Sequence, residues 1–487
     1  MLQITTYRFL HIDNLELACD IFDKTKADIF SAVSSVNSCQ LSMVCICILI
    51  ALLILVVFMK ILSIFVQNLR NNGKFNQISG MIREFWVENF YSIKERQTLN
   101  FEAKSNADSF ASVMVDDKVR LNKIAILYGA NASGKSNILY ALQTVFRLMI
   151  TPKSTRSKKI ACYHPFALAK GEATRMGLSF YMNGIRYDYE ISYNEDYILS
   201  ETLNFYPKGY KASFYTREFV AESSAANITF GTSAEIKKKA ENTFVSNTLN
   251  NHTVLSTYAK VAFDEDVKAV SDLFAWITKS MHGINEYHDP NETFADMMRK
   301  VDEDPKMKSF FLQMIKKADF NIVDFHYEDS VVLQSGEKTK DILFTSVAGK
   351  DSFDLKTINQ SGGTIAFLEK TRLLFDMVYG NNIFLFDEPE NDLHYDLFLF
   401  YLNAFLYNSD KSQMIIASHL TSLLAEDLIN EQRDLIYFVE KDFETATSSC
   451  KRADKYGLHK NQSLYNAYKI GKLGAKPALG SPFILNE

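Results

Sequence analysis

Ile124-Ala125-Ile126-Leu127-Tyr128-Gly129-Ala130-Asn131-Ala132-Ser133-Gly134-Lys135-Ser136-Asn137 is the stretch whose reading decides the fold. Its first five residues are an apolar run, which predicts a buried strand. From Lys135 to Leu148 the apolar positions Ile138, Leu139, Leu142, Val145 and Phe146 recur at helical spacing. A strand, a glycine loop and a helix in succession place a helix N-terminus where it can meet phosphate. Such a loop approaches phosphate oxygens with its backbone, and Gly129 and Gly134 leave room at its two ends around Ala130, Asn131, Ala132 and Ser133. In this pattern Lys135 reaches the β- and γ-phosphates, the Ser136 hydroxyl ligates Mg²⁺, and Asn137 follows in the helix.

Three further parts lie downstream, beginning about 225 residues later, in the order a complete ATP site requires. Ile383-Phe384-Leu385-Phe386 is an apolar run that ends in Asp387-Glu388. A buried strand delivering two carboxylates at its edge is costly unless they have work to do. Asp387 is expected to hold Mg²⁺ and Glu388 to act as general base on the attacking water; Pro389 stops the strand. Met414-Ile415-Ile416-Ala417 is a second buried run and leads to Ser418-His419, with His419 expected at the γ-phosphate. The other eight histidines show no ligand spacing. Gln360-Ser361-Gly362-Gly363-Thr364 precedes a helical stretch near Ile365, another anion-binding geometry. A second phosphate site within one protomer would be redundant; in two-protomer ATPases such a loop instead reaches the partner's γ-phosphate, and by that likeness Ser361, Gly362 and Gly363 are expected to do so in a homodimer or higher homo-oligomer. The competing readings are an acidic turn, a surface histidine and a flexible helix cap.

The chain has 487 residues, 47% of them hydrophobic, with a net charge of −5, enough for two or three domains and no obvious polyanion binder. Local basic runs (Lys153, Arg156, Lys158, Lys159; Lys237-Lys238-Lys239) leave nucleic-acid contact open beside the plainer reading of solvated surface. Six cysteines without repeat spacing suggest a reducing compartment. The first eighty residues differ. No charge occurs from Ile29 to Phe58, and Leu41 to Met59 is almost continuously apolar, nineteen residues. As a helix they would extend about 28 Å, against roughly 30 Å of hydrocarbon. Acidic residues precede this run, and Lys60, Arg70 and Lys74 follow it, which places the C-terminal side in the cytoplasm. A transmembrane anchor at 41–66 in the inner membrane is one expectation. A wrongly extended reading frame, with Met81 as the start, is the other.

From Met81 onward, over roughly 400 of the 487 residues, the chain resembles the AAA ATP-binding proteins of the RloA and AbiLii type. These are ABC/SMC-like ATPases related to the ATPase half of OLD-family nucleases. The resemblance is carried by Phe85-Trp86-Val87-Glu88-Asn89-Phe90-Tyr91-Ser92-Ile93, by the loop from Gly129 to Asn137, and by Asp387-Glu388-Pro389-Glu390-Asn391-Asp392-Leu393-His394. Arg433 to Asp442 and Gly471 to Pro477 add to it. It implies an anti-phage or abortive-infection role, in which an ATP-driven sensor acts on a separately encoded effector, often a nuclease. It also places Glu390 to His394 in the loop that links two sites across a dimer interface. The chain departs from the family at Gln360, where glutamate is usual, and in having no identifiable glutamine-loop residue. The 45 residues after Asp442 are too few for a Toprim nuclease. An SMC-like DNA-repair ATPase loading directly on nucleic acid is the alternative; an ATPase subunit of a transporter fits less well.

The expected architecture is an α/β, ABC/SMC-like P-loop ATPase with an antiparallel β lobe and a helical insertion. Residues 1–80 form the N-terminal segment and 81–220 the first ATPase half. In the latter, Met176 to Met182 and Tyr187 to Ile191 flank Asn183-Gly184 as a hairpin. Residues 221–335 are expected as a compact helical lid, and 336–487 as the second half with the signature, acidic strand and histidine.

Overall fold

The computed structural model describes residues 79–104, 110–221, 225–263, 267–284, 292–318, 321–331, 338–391, 393–459 and 461–477. All of them belong to one unit, Ile78–Glu487. The chain enters through β1 (Gly80–Glu88), β2 (Gln97–Asn100) and a small hairpin of β3 (Ser112–Met114) and β4 (Arg120–Asn122). β5 (Ile124–Tyr128) then leads through the glycine loop into α1 (Lys135–Ile150). A meander follows: β6 (Thr174–Met182), β7 (Ile185–Tyr193), β8 (Ile198–Phe205), β9 (Ala212–Val220) and β10 (Ala225–Phe230). Next come α2 (Lys238–Asn247), α3 (Val254–Tyr258), α4 (Lys268–Ser280), the short β11 (Met281–His282), α5 (Phe294–Glu303) and α6 (Pro305–Lys317). A second meander, β12 (Ile322–Val331), β13 (Lys338–Ala348) and β14 (Asp351–Lys356), precedes α7 (Gly362–Tyr379). The chain closes with β15 (Ile383–Asp387), α8 (Tyr395–Asn408), β16 (Gln413–Ser418), α9 (Asp427–Glu431), β17 (Ile436–Lys441), β18 (Ser448–Arg452) and α10 (Leu464–Lys469).

Two sheets carry the molecule. One is antiparallel and seven-stranded, in the order β10-β9-β8-β7-β6-β1-β2. The other runs β11-β15-β16-β5-β17-β18 and is parallel except for its last strand. The continuous apolar runs of β5, β15 and β16 follow from burial on both faces of this second sheet. Ala125, Leu127, Leu385 and Ile415 face the cluster that includes α1 and the antiparallel lobe. Ile124, Ile126, Phe384, Phe386 and Ile416 alternate with them and pack with α7 and α8. Buried Gln413 joins the two sheets: its amide donates to Ile82 O at 2.9 Å and Asn122 O at 3.1 Å and accepts from Ile82 N at 2.6 Å. The β6–β7 hairpin forms as expected, with Asn183 (φ 50°) and Gly184 (φ 79°) both in the left-handed conformation its tight turn requires.

The insertion differs from the expected single helical lid. β10, inside the 221–335 span, is the edge strand of the seven-stranded sheet, and β12 pairs along its length with β13. The helices also divide. α4 packs into the main core, where Trp276 is buried against Phe180 and Phe146. α5 and α6 form a separate cluster with Phe325, Phe344 and Leu368. Val270, Leu273, Trp276 and Ile277 recur along α4 at helical spacing and form an inner face of the core, not of a lid, while β12 is a strand despite its polar, exposed residues. The candidate transmembrane segment 41–66 lies outside the described residues. Among the described residues no helix is long and apolar enough to cross a membrane.

Candidate nucleotide site

The glycine loop hangs between the end of β5 and the start of α1, and its conformation needs its glycines. Gly134 has φ 107°, and a Cβ there would stand 2.4 Å from Ser448 Oγ. At Gly129 a Cβ would stand 2.3 Å from Val439 O. Ala132 also lies in the left-handed region, at φ 60°. The Lys135 ammonium folds back onto the loop and donates to Gly129 O at 3.0 Å and Ala130 O at 3.1 Å. Only 5% of this residue is exposed. Burial lowers its pKa, while the charges of Glu388, Asp387 and Glu390 act in the opposite direction. A buried cation facing carboxylates across an open loop suits a polyanion.

The acidic strand meets the loop through Ser136, whose hydroxyl donates to Asp387 Oδ2 at 2.7 Å. Parallel pairing of β15 with β16 brings Asp387 level with Ala417, so Glu388 and His419 emerge side by side. Glu388 turns sharply, with φ 53°, while its N–H stays bonded to Ala417 O at 2.8 Å. A left-handed glutamate is strained, and strain of this kind collects at functional sites. Glu388 Oε1 and His419 Nε2 are hydrogen-bonded, and Asn391 Nδ2 lies 3.4 Å from Glu388 Oε2. Partial burial raises the Glu388 pKa, but the bond and charge of His419, then Asn391 and Lys135, outweigh it and hold the carboxyl below the ordinary glutamate value. It is therefore an ionised base near neutral pH.

Ser361 caps α7: its Oγ accepts from Thr364 N at 3.0 Å and lies 2.7 Å from Thr364 Oγ1. Ser361 and Gly362 are exposed, and a Cβ on Gly362 would meet open space. The cap reading of this loop is therefore present in its geometry, alongside an open face at the helix start.

Two groups of residues take roles that the sequence did not indicate. Ser92, in the turn after β1, accepts a hydrogen bond from Asn137 Nδ2 at 2.7 Å, and its hydroxyl pairs with Ser448 Oγ at 2.7 Å. Ser448 Oγ also contacts Ser133 O at 2.6 Å. The loop is thus buttressed by residues about 45 positions before it and about 315 after it, a link no local pattern reveals. The second is Glu390, expected in the interface loop. It is only 8% exposed, and its Oε1 accepts from Ser418 Oγ at 2.7 Å and from His419 N at 2.8 Å. Its Oε2 is buried with no hydrogen-bond partner among the described residues, as is the Tyr128 hydroxyl. Burial and then the Glu390 charge push the Tyr128 pKa well above the ordinary tyrosine value. His394 stays at the surface as the cap of α8.

The donor set around Ser136 suits Mg²⁺, a hard cation that takes hydroxyl and carboxylate oxygens and keeps several waters. Ser136 Oγ and Asp387 Oδ2 already converge. No cluster of three or more His, Cys, Asp and Glu side chains suited to a metal occurs among the described residues; a Mg²⁺ held by Ser136 and Asp387 would take phosphate and water oxygens as its other ligands.

A strand–loop–helix against a parallel sheet, with an acidic strand two places along and an antiparallel lobe beside it, defines an ABC/SMC-like P-loop ATPase fold. Residues 124–425 match the family described as "AAA domain, putative AbiEii toxin, Type IV TA system", and the chain belongs to that family. Similar solved structures include the SMC head domain from Thermotoga maritima, at 16% identity and TM-score 0.36, covering 76% of this chain and 98% of that one. An Smc head bound to the C-terminal winged-helix domain of ScpA is similar at 14% identity and TM-score 0.37, covering 77% of this chain and 99% of that one. An Smc head with an extended coiled coil, bound to a ScpA domain from Pyrococcus furiosus, is similar at 13% identity and TM-score 0.32, with 80% and 98% covered. No curated protein matches the sequence.

Proposed function

We propose that the chain is a Mg²⁺-dependent ATPase that closes as a dimer over two ATP molecules and regulates a separately encoded effector, such as a nuclease, in anti-phage defence of the RloA/AbiLii kind. The observation that carries the ATPase reading is the convergence of Lys135, Ser136, Asp387, Glu388 and His419 at the end of one parallel sheet. Lys135 and the backbone from Gly129 to Ser136 hold the phosphates; Ser136 and Asp387 hold Mg²⁺, which neutralises phosphate charge. Glu388 takes the proton of the attacking water, and His419 fixes its carboxylate and senses the γ-phosphate. Ser361, Gly362 and Gly363 complete the partner's site from their open helix start. The family's description, which names a putative AbiEii toxin and a type IV TA system, supports the defence role.

Replacing Glu388 with Gln tests this directly. The variant should bind ATP, lose hydrolysis by about 10²–10⁴-fold, as removal of a general base does, and accumulate as an ATP-bound dimer on size-exclusion with light scattering. Unchanged hydrolysis would remove Glu388 from its role; a trapped but monomeric protein would remove the composite site.

A further inference from the structure

The two edges of the seven-stranded sheet are finished differently. At one edge β2 is covered by the six-stranded sheet: Cys450 N donates to Gln97 Oε1 at 2.7 Å, and Asn100 N donates to Tyr437 Oη at 2.9 Å. At the other edge β10 pairs with β9 along one side only, from Ala225 opposite Val220 to Phe230 opposite Tyr215. Alternate backbone N–H and C=O groups of such a strand point away from its neighbour. Those of β10 have no hydrogen-bond partner among the described residues. After Phe230 the chain stays with β9, Gly231 N donating to Phe214 O at 3.0 Å, and does not fold across the open edge.

Proteins usually blunt an open edge with charge. β12 carries Asp324, Glu328 and Asp329, and β14 carries Asp351, Asp354 and Lys356. β10 reads Ala225-Ala226-Asn227-Ile228-Thr229-Phe230, without a charge. Its side chains alternate. Ala226, Ile228 and Phe230 turn to the core, while Ala225, Asn227 and Thr229 are exposed.

We propose that β10 is an association edge, which pairs antiparallel with β10 of a second copy of this chain about a two-fold axis through Ile228. Directly opposed residues of an antiparallel pair share one face of the sheet, so core-facing residues must meet core-facing ones. An axis at Ile228 does this for all three. Ile228 meets its own copy, and Phe230 meets the second copy's Ala226, large against small. On the exposed face Asn227 meets the second copy's Thr229. A charged edge would set like charges together in a pair of this symmetry, and the neutrality of β10 removes that obstacle to self-pairing. β10 lies five strands from β1, about 24 Å at roughly 4.8 Å per strand. Pairing there leaves the glycine loop free and requires no nucleotide.

Sedimentation velocity on the nucleotide-free full chain, over a concentration series, tests this. The parent should form a reversible species of twice 55.6 kDa. Asn227→Glu with Thr229→Glu sets two like-charge pairs across the axis and should weaken dimerisation about 2- to 30-fold. Asn227→Glu with Thr229→Lys sets two opposite-charge pairs and should restore it. Both positions are exposed, so thermal melting should show all three proteins folded alike. Hydrogen exchange of the β10 amides should slow as the parent dimerises. A parent that stays monomeric, a dimer indifferent to the paired glutamates, or equal losses in both double variants would overturn the proposal. Lys135→Ala should dimerise as the parent does, which keeps this edge separate from the ATPase reading. In Glu388→Gln, Mg²⁺-ATP should add copies beyond two; if it adds none while the nucleotide-free dimer forms, the composite ATP site fails and the edge pairing stands.

Discussion

Truncating Glu390 to alanine should disable the site without touching any group assigned to ATP. Its Oε1 accepts from Ser418 Oγ at 2.7 Å and His419 N at 2.8 Å, and Ser418 is fully buried. Alanine leaves both donors without an acceptor, at about 1–3 kcal/mol each. The same change removes Oε2, a buried oxygen with no partner among the described residues, which offsets about 1–3 kcal/mol. The net cost is therefore about 2 kcal/mol, measured as the shift in the urea unfolding transition. Gln keeps an acceptor at Oε1 and should restore most of it. The catalytic effect should be larger, because the lost bond to His419 N anchors the residue that orients Glu388. A displacement of about 1 Å at such a position costs on the order of 10²-fold in rate. The kcat for ATP should fall by that order while KM stays within about twofold, since the contacts of Lys135 are untouched. If Glu390→Ala unfolds within about 0.5 kcal/mol of the parent and hydrolyses ATP at the parental rate, the positioning argument is wrong.

Gly134→Ala should cost about 1–3 kcal/mol through its φ of 107° alone, and its methyl would press on Ser448 Oγ and Ser92 Oγ, so ATP affinity should drop sharply by calorimetry; Ser448→Gly, which removes the nearer obstacle, should recover part of it. His252 supplies a pH signature of the fold. Burial, then the charges of Lys260 and Arg217, lowers its pKa from 6.5 to about 4. Between those values the unfolded chain binds the extra proton and the folded chain does not, so this contribution is complete above about pH 6.5 and is lost as pH falls toward 4. Its upper size is about 3 kcal/mol, and thermal melts across that range should flatten in His252→Asn; identical slopes in both proteins would contradict the shift.

Much of the central sheet was legible because its strands are buried on both faces and therefore read as unbroken apolar runs. β5, β15 and β16 each stand where such a run predicts, and each ends at a polar residue of the site. Glu440 and Asp442 stand at a strand end: β17 stops at Lys441, and Asp442 Oδ1 accepts from Thr445 N at 2.7 Å to make the turn. The insertion was harder to read. Helical periodicity marks α4 as amphipathic but does not say which surface covers its apolar face; Trp276 buries against Phe180 of the β lobe. β12 carries His326, Tyr327, Glu328 and Asp329 in succession, and only its pairing with β13 makes it a strand.

By itself the sequence determined that a strand, a glycine loop and a helix stand together, because backbone conformation there depends on residues only a few positions apart. It also determined that two carboxylates and a histidine follow buried strands. Only the tertiary structure decided which of these meet. Ser136 and Asp387 are 251 residues apart, and they touch because β16 lies between β5 and β15 in the sheet. The same strand order turned Glu390 inward to hold His419, and set Ser92 and Ser448 against the glycine loop. Contacts of that kind depend on how the strands are ordered and packed, which no local spacing encodes.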